Sequence, residues 1–366
     1  MTAFVESCVE TAAGSAVAAE RKARGQPKVT KLLRLLTGKK KILVTAHQHP
    51  DPDALASGMA MCTLLAAHLP GVTIVHSVRG KIGGGLNDAF VKHAGLQLAP
   101  WDDAALDQYD AIVLVDTQPT FTYSPLPQNV QAMAVIDHHR ARGRRPACPF
   151  CDIRPDVGAT SSIVFSYFME TETPINSTLA ATLVYGIESD LAGAAGTPGQ
   201  LDNIALSSLT LLADTRKLYQ MRYVDLPQSY YIAYHEGLSH AVWYDDALIT
   251  HLGEIDSLEK TAVVADFLLR FDQVHWSLVT AVHEQRLIVS LRSDDSRRSA
   301  ADVMRRLMRH LGEGGGHRTK AGGAISLDST SMTEIDRKQT VLLRRYLRAL
   351  GIKQGKPHRL VPEQRA

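Results

Sequence analysis

Residues 46–58, AHQHPDPDALASG, bring His47, His49, Asp51 and Asp53 within seven positions, with Pro50 and Pro52 between them. Imidazole nitrogens and carboxylate oxygens are ligands for hard or borderline divalent ions, and carboxylates crowded into one crevice raise one another's pKa values until a cation joins them. More such groups follow at Asp116, at Asp137-His138-His139 and at Asp190. None of these segments brings a thiolate. The donors therefore point to manganese or magnesium, with cobalt as an alternative, rather than to a structural zinc. About six ligands exceed what one site with open positions uses, which points to two ions. The prolines remove backbone donors and bar helix and central strand, leaving a stiff loop from which Asp51 and Asp53 present carboxylates.

The elements that must position these residues are legible around them. KILVTA (41–46), VTIVHS (72–77), DAIVLVD (110–116) and AMAVID (132–137) are short apolar runs, separated by segments long enough for helices such as 54–69. Runs apolar on both faces, alternating with helices, predict an α/β lobe with a mostly parallel, doubly wound sheet. In such sheets ligands bind beyond the carboxyl ends of the strands. His47, His49, Asp51 and Asp53 follow the first run, Asp116 ends the third, and Asp137, His138 and His139 end the fourth. A single aspartate at a strand end usually caps a helix or closes a turn. Separate segments that all end in such groups on one rim instead predict a metal site.

Length and composition bound the rest. With 366 residues, 45% of them hydrophobic, two lobes are expected. The formal net charge of +2 gives no global polyanion-binding signal, so affinity for phosphate must be local and long duplex nucleic acid is not an expected partner. Four cysteines are too few and scattered for a disulfide framework, and Cys148-Pro-Phe-Cys151 lacks the second pair that a structural zinc would need, so it reads as an incidental loop pair. The acidic N-terminus is unlike a signal peptide and no apolar run reaches the ~20 residues that span a bilayer, which predicts a cytoplasmic protein without membrane contact.

A second block begins near residue 241 with DALITHLGEI, followed by a helix through EKTAVVADFLLRF, two strands in HWSLVTAVHEQRLIVSLRS, a helix over 299–311 and the glycine stretch GEGGGHRTKAGGAI. This predicts a smaller α/β lobe. From Ser290 to Gly323, eight basic residues stand against four acids. Glycine amides approach an anion closely, so Gly314, Gly315, Gly316 and His317, with Arg292 and Arg318, are candidates for gripping a phosphate or a base. The expected organisation is a leader (1–28), a metal-binding catalytic domain (29–220), a linker (221–240, its polar sequence starting near 215), a substrate-binding domain (241–350) and a flexible tail (351–366).

These motifs resemble those of the DHH phosphoesterase superfamily. The first stands as His47-Gln48-His49-Pro50-Asp51-Pro52-Asp53-Ala54-Leu55-Ala56-Ser57, the second as Asp116 in VLVDTQ, the third as Asp137-His138-His139 trailed by GATSSIV (158–164), and the fourth as Gly186-Ile187-Glu188-Ser189-Asp190. The second block resembles the DHH-associated domain with its GGGH signature, here Gly314-Gly315-Gly316-His317 followed by Ala321-Gly322-Gly323. The resemblance implies that His47, Asp51 and Asp116 hold one Mn2+ and that Asp53, Asp116, His138 and Asp190 hold a second. His139 would contact the scissile phosphate and Asp137 would orient a ligand histidine. It further implies in-line hydrolysis by a water activated between the two ions, in a cleft between the lobes, and a homodimer. His49 stands where asparagine is usual, Pro52 and Ala56 where glycine is usual, and Lys320 where a small residue is usual. Within these 366 residues, neither the extra domains of the exonuclease RecJ nor the membrane helices of cyclic-di-AMP phosphodiesterases are expected. That narrows the expected substrates to short oligoribonucleotides or linear dinucleotides such as pGpG and pApA, with phosphoadenosine phosphate as a further one. Cyclic dinucleotides, polyphosphate and pyrophosphate are the competing substrates, and a nucleotide-binding regulator with a vestigial centre is the alternative outside enzymes.

Overall fold

The computed structural model describes residues 11–19, 22, 28–80, 82, 85–140, 146–191, 198–316, 318–353 and 355–362. The chain forms two compact units, with the main boundary between Val224 and Asp225. The first is built on five parallel strands, β1 (Lys41–Thr45), β2 (Thr73–His76), β3 (Ala111–Val115), β4 (Ala134–Asp137) and β5 (Phe150–Ile153), in the order β2-β1-β3-β4-β5. Strands β3 and β4 are buried at every residue, as apolar runs covered on both faces must be.

Helices α1 (Val29–Leu36), α2 (Pro52–His68), α3 (Gly85–Ala94), α4 (Thr160–Glu170), α5 (Ser177–Leu191) and α6 (Gln200–Leu212) share one core with the sheet face that carries Ile42, Val44, Val113, Val115, Ala134 and Ile136. The opposite face, with Leu43, Ile112, Leu114 and Val135, is covered by Leu106 of a 3-10 helix (Asp103–Gln108) and by Leu126 and Ala132. Pro52 does not bar a helix. It occupies the first turn of α2, where a missing N–H costs nothing, and Asp51 caps that helix by accepting from the Ala54 amide at 3.0 Å.

Strand β5 was not expected from the sequence, where it reads as a loop around Cys148 and Cys151. Only four residues long and containing Asp152, it lacks a periodic apolar signal. Its acid is tolerated because Arg154 grips Asp152 through two hydrogen bonds, of 2.9 and 2.8 Å, and the Tyr167 hydroxyl donates to it at 2.7 Å. Both ionic partners are buried, which is tenable only with this degree of pairing. The sequence shows the charges but not their partners.

The segment 215–240, read as a linker, holds α7 (Thr215–Arg222) in the first unit and α8 (Gln228–Ser239) in the second. Asp214 caps α7 by accepting from the Arg216 and Lys217 amides, a local signal hidden by the polar composition. The second unit has a seven-stranded sheet in the order β10-β11-β9-β8-β7-β6-β12, formed by β6 (Val242–Tyr244), β7 (Ala247–Glu254), β8 (Trp276–His283), β9 (Arg286–Ser293), β10 (Glu313–Gly316), β11 (Lys320–Ser326) and β12 (His358–Arg359). Helices α10 (Ala300–Met308) and α11 (Met332–Leu350) pack in one core with this sheet, and α8 and α9 (Glu259–Leu268) in another. The tail is not wholly frayed: His358 and Arg359 pair with Trp243 and Val242, and the His358 ring stacks on Trp243. Among the described residues no helix is long and apolar enough to cross a membrane.

Gly186 shows how closely the first unit is packed beneath its rim. A methyl group there would lie 2.7 Å from the Ala56 Cβ and 3.0 Å from the Ser161 Oγ, so α5 approaches both α2 and α4 almost backbone to side-chain root. Gly186→Ala is therefore expected to destabilise the protein by about 1–3 kcal/mol through overpacking. A lowered thermal midpoint would show it, whereas an unchanged midpoint would mean that the helices are not seated this closely.

Candidate metal centre

In the order β2-β1-β3-β4-β5 the chain reverses its direction of travel between β1 and β3, and ligand crevices of open parallel sheets lie at that switch point. His47 follows β1, Asp116 follows β3, and the Asp116 carboxylate Oδ2 lies 3.5 Å from the His47 Nε2. The neighbouring strand β4 ends in Asp137, with His138 and His139 just beyond. The His138 Nε2 lies 3.4 Å from the Asp116 Oδ1 and 3.2 Å from the Asp190 Oδ2, which α5 carries at its carboxyl end. Asp116 thus turns one oxygen to each histidine. Its backbone holds φ at 56°, a left-handed conformation that aspartate tolerates better than most residues, and its amide donates to the Ile136 carbonyl at 2.9 Å.

Both histidines are oriented in the same way. The His47 Nδ1 faces the Gln48 carbonyl at 2.9 Å and the His138 Nδ1 faces the Val157 carbonyl at 3.4 Å. A ring that gives its Nδ1 proton to a carbonyl keeps Nε2 for a ligand, the usual arrangement in metal sites. The His47 loop is also clamped from the side, because the Gln48 amide donates to Tyr123 O at 2.9 Å and its Nε2 to Ser124 O at 3.0 Å. His139 differs. Its Nδ1 lies 2.6 Å from the Asp137 Oδ1, and the Gln118 Nε2 donates to the other Asp137 oxygen at 2.7 Å and to His139 O at 3.0 Å.

Among the described residues, three groups of side chains bring potential ligand atoms within 4.8 Å of one another: His47, Asp51 and Asp116; Asp53, His138 and Asp190; and Asp116, His138 and His139. In the third, the His139 Nδ1 is already committed to Asp137, so the first two are the better cation cradles. Oxygen and imidazole donors without thiolate fit a hard or borderline divalent ion. The rim thus brings together the six residues expected from the sequence to act as ligands, His47, Asp51, Asp53, Asp116, His138 and Asp190, with His139 and Asp137 beside them. His49 is exposed and belongs to none of the groups.

The electrostatics fit the same reading. Burial drives the Asp53 pKa well up, and the charges of Asp116 and Asp190 add to it. Burial also raises that of Asp116, against the opposing pull of His47, His139 and His138. For His47, burial disfavours the charge, but Asp116 and Asp51 outweigh it and hold the pKa well above the imidazole range; His138 is raised likewise by Asp190 and Asp116. Asp137 is held below the carboxylate range: burial opposes this, but the charge and hydrogen bond of His139 prevail.

Sequence reasoning missed three contributors. Thr160 and Ser161, at the start of α4, donate backbone amides to the Asp53 Oδ2 and Oδ1 at 2.7 and 2.9 Å, and the Thr160 hydroxyl donates to the Asp116 Oδ1 at 2.8 Å. Gln118 is the third. All three fall inside segments that carry the motifs, VLVDTQ and GATSSIV, so proximity to the ligands was the available signal.

The second-unit candidates lie on β9, β10 and the β10–β11 connection. Gly314 to Gly316 form a ladder with Ala321 to Gly323 rather than a free loop, and a methyl group on Gly314 would lie 2.6 Å from the Met308 Cγ, so packing on α10 accounts for that glycine. The Arg292 Nε donates to the Asp266 Oδ1 at 2.7 Å, and Arg318, exposed, donates to Ser296 O. His317 lies outside the described residues.

Residues 41–187 match the DHH family, N-terminal domain. An uncharacterized protein of Methanocaldococcus jannaschii is 29% identical over 320 residues, 86% of this chain and 65% of that one. A probable manganese-dependent inorganic pyrophosphatase of Listeria innocua is 28% identical over 176 residues, 48% of this chain and 56% of its own. The chain thus spans less than two thirds of the length of either relative. Among solved structures, an exopolyphosphatase-related protein from Bacteroides fragilis superposes with a TM-score of 0.68 at 18% identity, over 88% of this chain and 97% of that one. RecJ from Thermus thermophilus, in complex with Mn2+, gives 0.53 at 15% identity, over 92% and 55%. Both share the fold.

The pKa shifts set a pH dependence for the metal-free protein. His47 and His138 are raised, so their stabilising contribution is complete below about 6.5 and is lost as pH rises through their folded values. Asp53 and Asp116, raised from 3.8, lose stability in the same direction, while Asp137, lowered, loses its contribution only as pH falls below that range. A divalent ion takes the place of the protons. The rise in thermal midpoint on adding Mn2+ is expected to grow between about pH 5 and pH 8. A rise that shrinks over that range would contradict the site.

Proposed function

We propose that this protein is a divalent-metal-dependent phosphoesterase that hydrolyses short oligoribonucleotides or linear dinucleotides to mononucleotides, with phosphoadenosine phosphate as a further substrate. The observation that carries the reading is Asp116, buried, with one oxygen toward His47 and the other toward His138. A carboxylate so placed is suited to being shared by two ions, the first held with His47 and Asp51, the second with Asp53, His138 and Asp190. Manganese is the ion we assign, in keeping with the manganese dependence named for the pyrophosphatase relatives.

Divalent ions bound in these cradles supply Lewis acidity toward a phosphoryl oxygen and lower the pKa of the attacking water. The protein's own groups do the rest. With Asp137 ionised, the His139 Nδ1 carries the proton that bonds it, and we assign His139 to contact a phosphate oxygen of the substrate. Gln118 keeps Asp137 and His139 in register. Arg292, Gly314, Gly315, Gly316, His317 and Arg318 form the proposed phosphate-holding set, in which Arg292 and Arg318 would exchange their present internal partners for substrate.

Incubating the purified protein and Mn2+ with pGpG, a labelled 5-mer RNA, phosphoadenosine phosphate, cyclic-di-AMP, polyphosphate and pyrophosphate separates the readings. Mononucleotide release from the linear substrates is expected. Turnover confined to pyrophosphate or to a cyclic dinucleotide would reassign the substrate, and nucleotide binding without turnover would make the protein a regulator. Asp116→Ala should abolish hydrolysis of every substrate. His317→Ala should raise KM with little change in kcat, and a loss confined to kcat would place that side chain beside the reacting atoms instead.

A further inference from the structure

Helix α4 begins without a cap of its own. Its N-cap residue, Ala159, has no side-chain acceptor, and the orphan amides of Thr160 and Ser161 are taken up by the two oxygens of Asp53, a residue of α2 more than 100 positions earlier in the chain. This docks the amino terminus of α4 directly beneath the metal rim. The hydroxyl of Thr160 donates across to the Asp116 Oδ1 at 2.8 Å. One buried residue therefore bonds two carboxylates that belong to different strand-end segments.

The choice of oxygen matters. The Asp116 Oδ1, which accepts from Thr160, is the oxygen facing His138, while Oδ2 is the one facing His47. A hydrogen bond to one oxygen fixes the rotation of the carboxylate plane, which is a broad and soft torsion when unrestrained. We infer that Thr160 is a positioning residue for the shared carboxylate, holding Asp116 so that each of its oxygens serves a different ion. The inference rests on the two-ion reading proposed above. The Thr160 hydroxyl and amide both donate to carboxylates, which suits a residue that holds ligands in place.

The chemistry separates hydroxyl from shape. Thr160→Val keeps the branched side chain and the backbone amide to Asp53 but removes the donor to Asp116. Thr160→Ser keeps the donor and loses only a methyl group. Titration calorimetry with Mn2+, paired with electron paramagnetic resonance of the bound ions, reads the consequence without any turnover assay. Wild type is expected to take up two ions with the signal of a magnetically coupled pair. Thr160→Val is expected to weaken at least one ion by about 10- to 100-fold, the usual cost of losing a group that supports a metal ligand, and to lose the coupled signal. Thr160→Ser should stay within a few-fold of wild type.

Wild-type uptake and coupling in Thr160→Val would overturn the assignment. So would a serine variant that binds Mn2+ about 10-fold or more weakly than wild type or loses the coupled signal, because the methyl group would then be the feature that matters; this arm is read against wild type and decides the question even if the valine variant does not fold. A wild-type protein that binds the coupled pair yet hydrolyses no phosphoester would defeat the proposed function alone. A wild type that binds no Mn2+ would defeat both.

Discussion

The constraint on which the rest of the structure depends is the confinement of like charges. Asp53 and Asp116 are buried, with Asp190 and Asp51 beside them on the same rim. Two unit charges about 4 Å apart repel by about 4 kcal/mol at an effective dielectric near 20, so a cluster of ionised carboxylates cannot stand there uncompensated. Without metal, protons on His47, His138 and the raised carboxylates supply the compensation. A divalent cation supplies it better, because oxygens from two strand ends and a helix can face one ion at once.

The surrounding fold is arranged to hold that cluster ready. Each side of the switch point contributes one rigid tether: the His47 loop is bonded to Tyr123 and Ser124, and Asp116 is bonded through its amide to β4. Helix α4 turns its amide end to Asp53 and its first hydroxyl to Asp116. Helix α5 brings Asp190 close because Gly186 lets it settle against α2 and α4. Ligands held by short buried bonds need little reorganisation when an ion arrives.

Much of this was legible in the sequence, and the part that was not has physical causes. Four strands of the first unit, β1 to β4, could be read as short apolar runs, and the residues at or just past the ends of three of them, β1, β3 and β4, define the rim. Strand β5 was hidden because the Asp152–Arg154 pair gives it a polar sequence, and pairing of that kind is a tertiary fact. Helices α7 and α8 were hidden because short, polar, tyrosine-rich segments read as linker, and the Asp214 cap of α7 is a local signal easily lost in that composition. The glycine run looked like a free phosphate loop, yet Gly314 is a glycine because Met308 leaves no room for a side chain. Thr160 stood in plain view within GATSSIV, but only the meeting of α4 with α2 and β3 gives its hydroxyl a partner.

The central claim is that Asp116 is shared by two divalent ions. Crystals grown with manganese, and diffraction data collected at the manganese absorption edge, test it most directly. The account predicts two anomalous peaks flanking the Asp116 carboxylate, one beside His47 and Asp51 and one beside Asp53, His138 and Asp190. An anomalous map with no peak at Asp116, or with manganese bound only elsewhere on the chain, would contradict it.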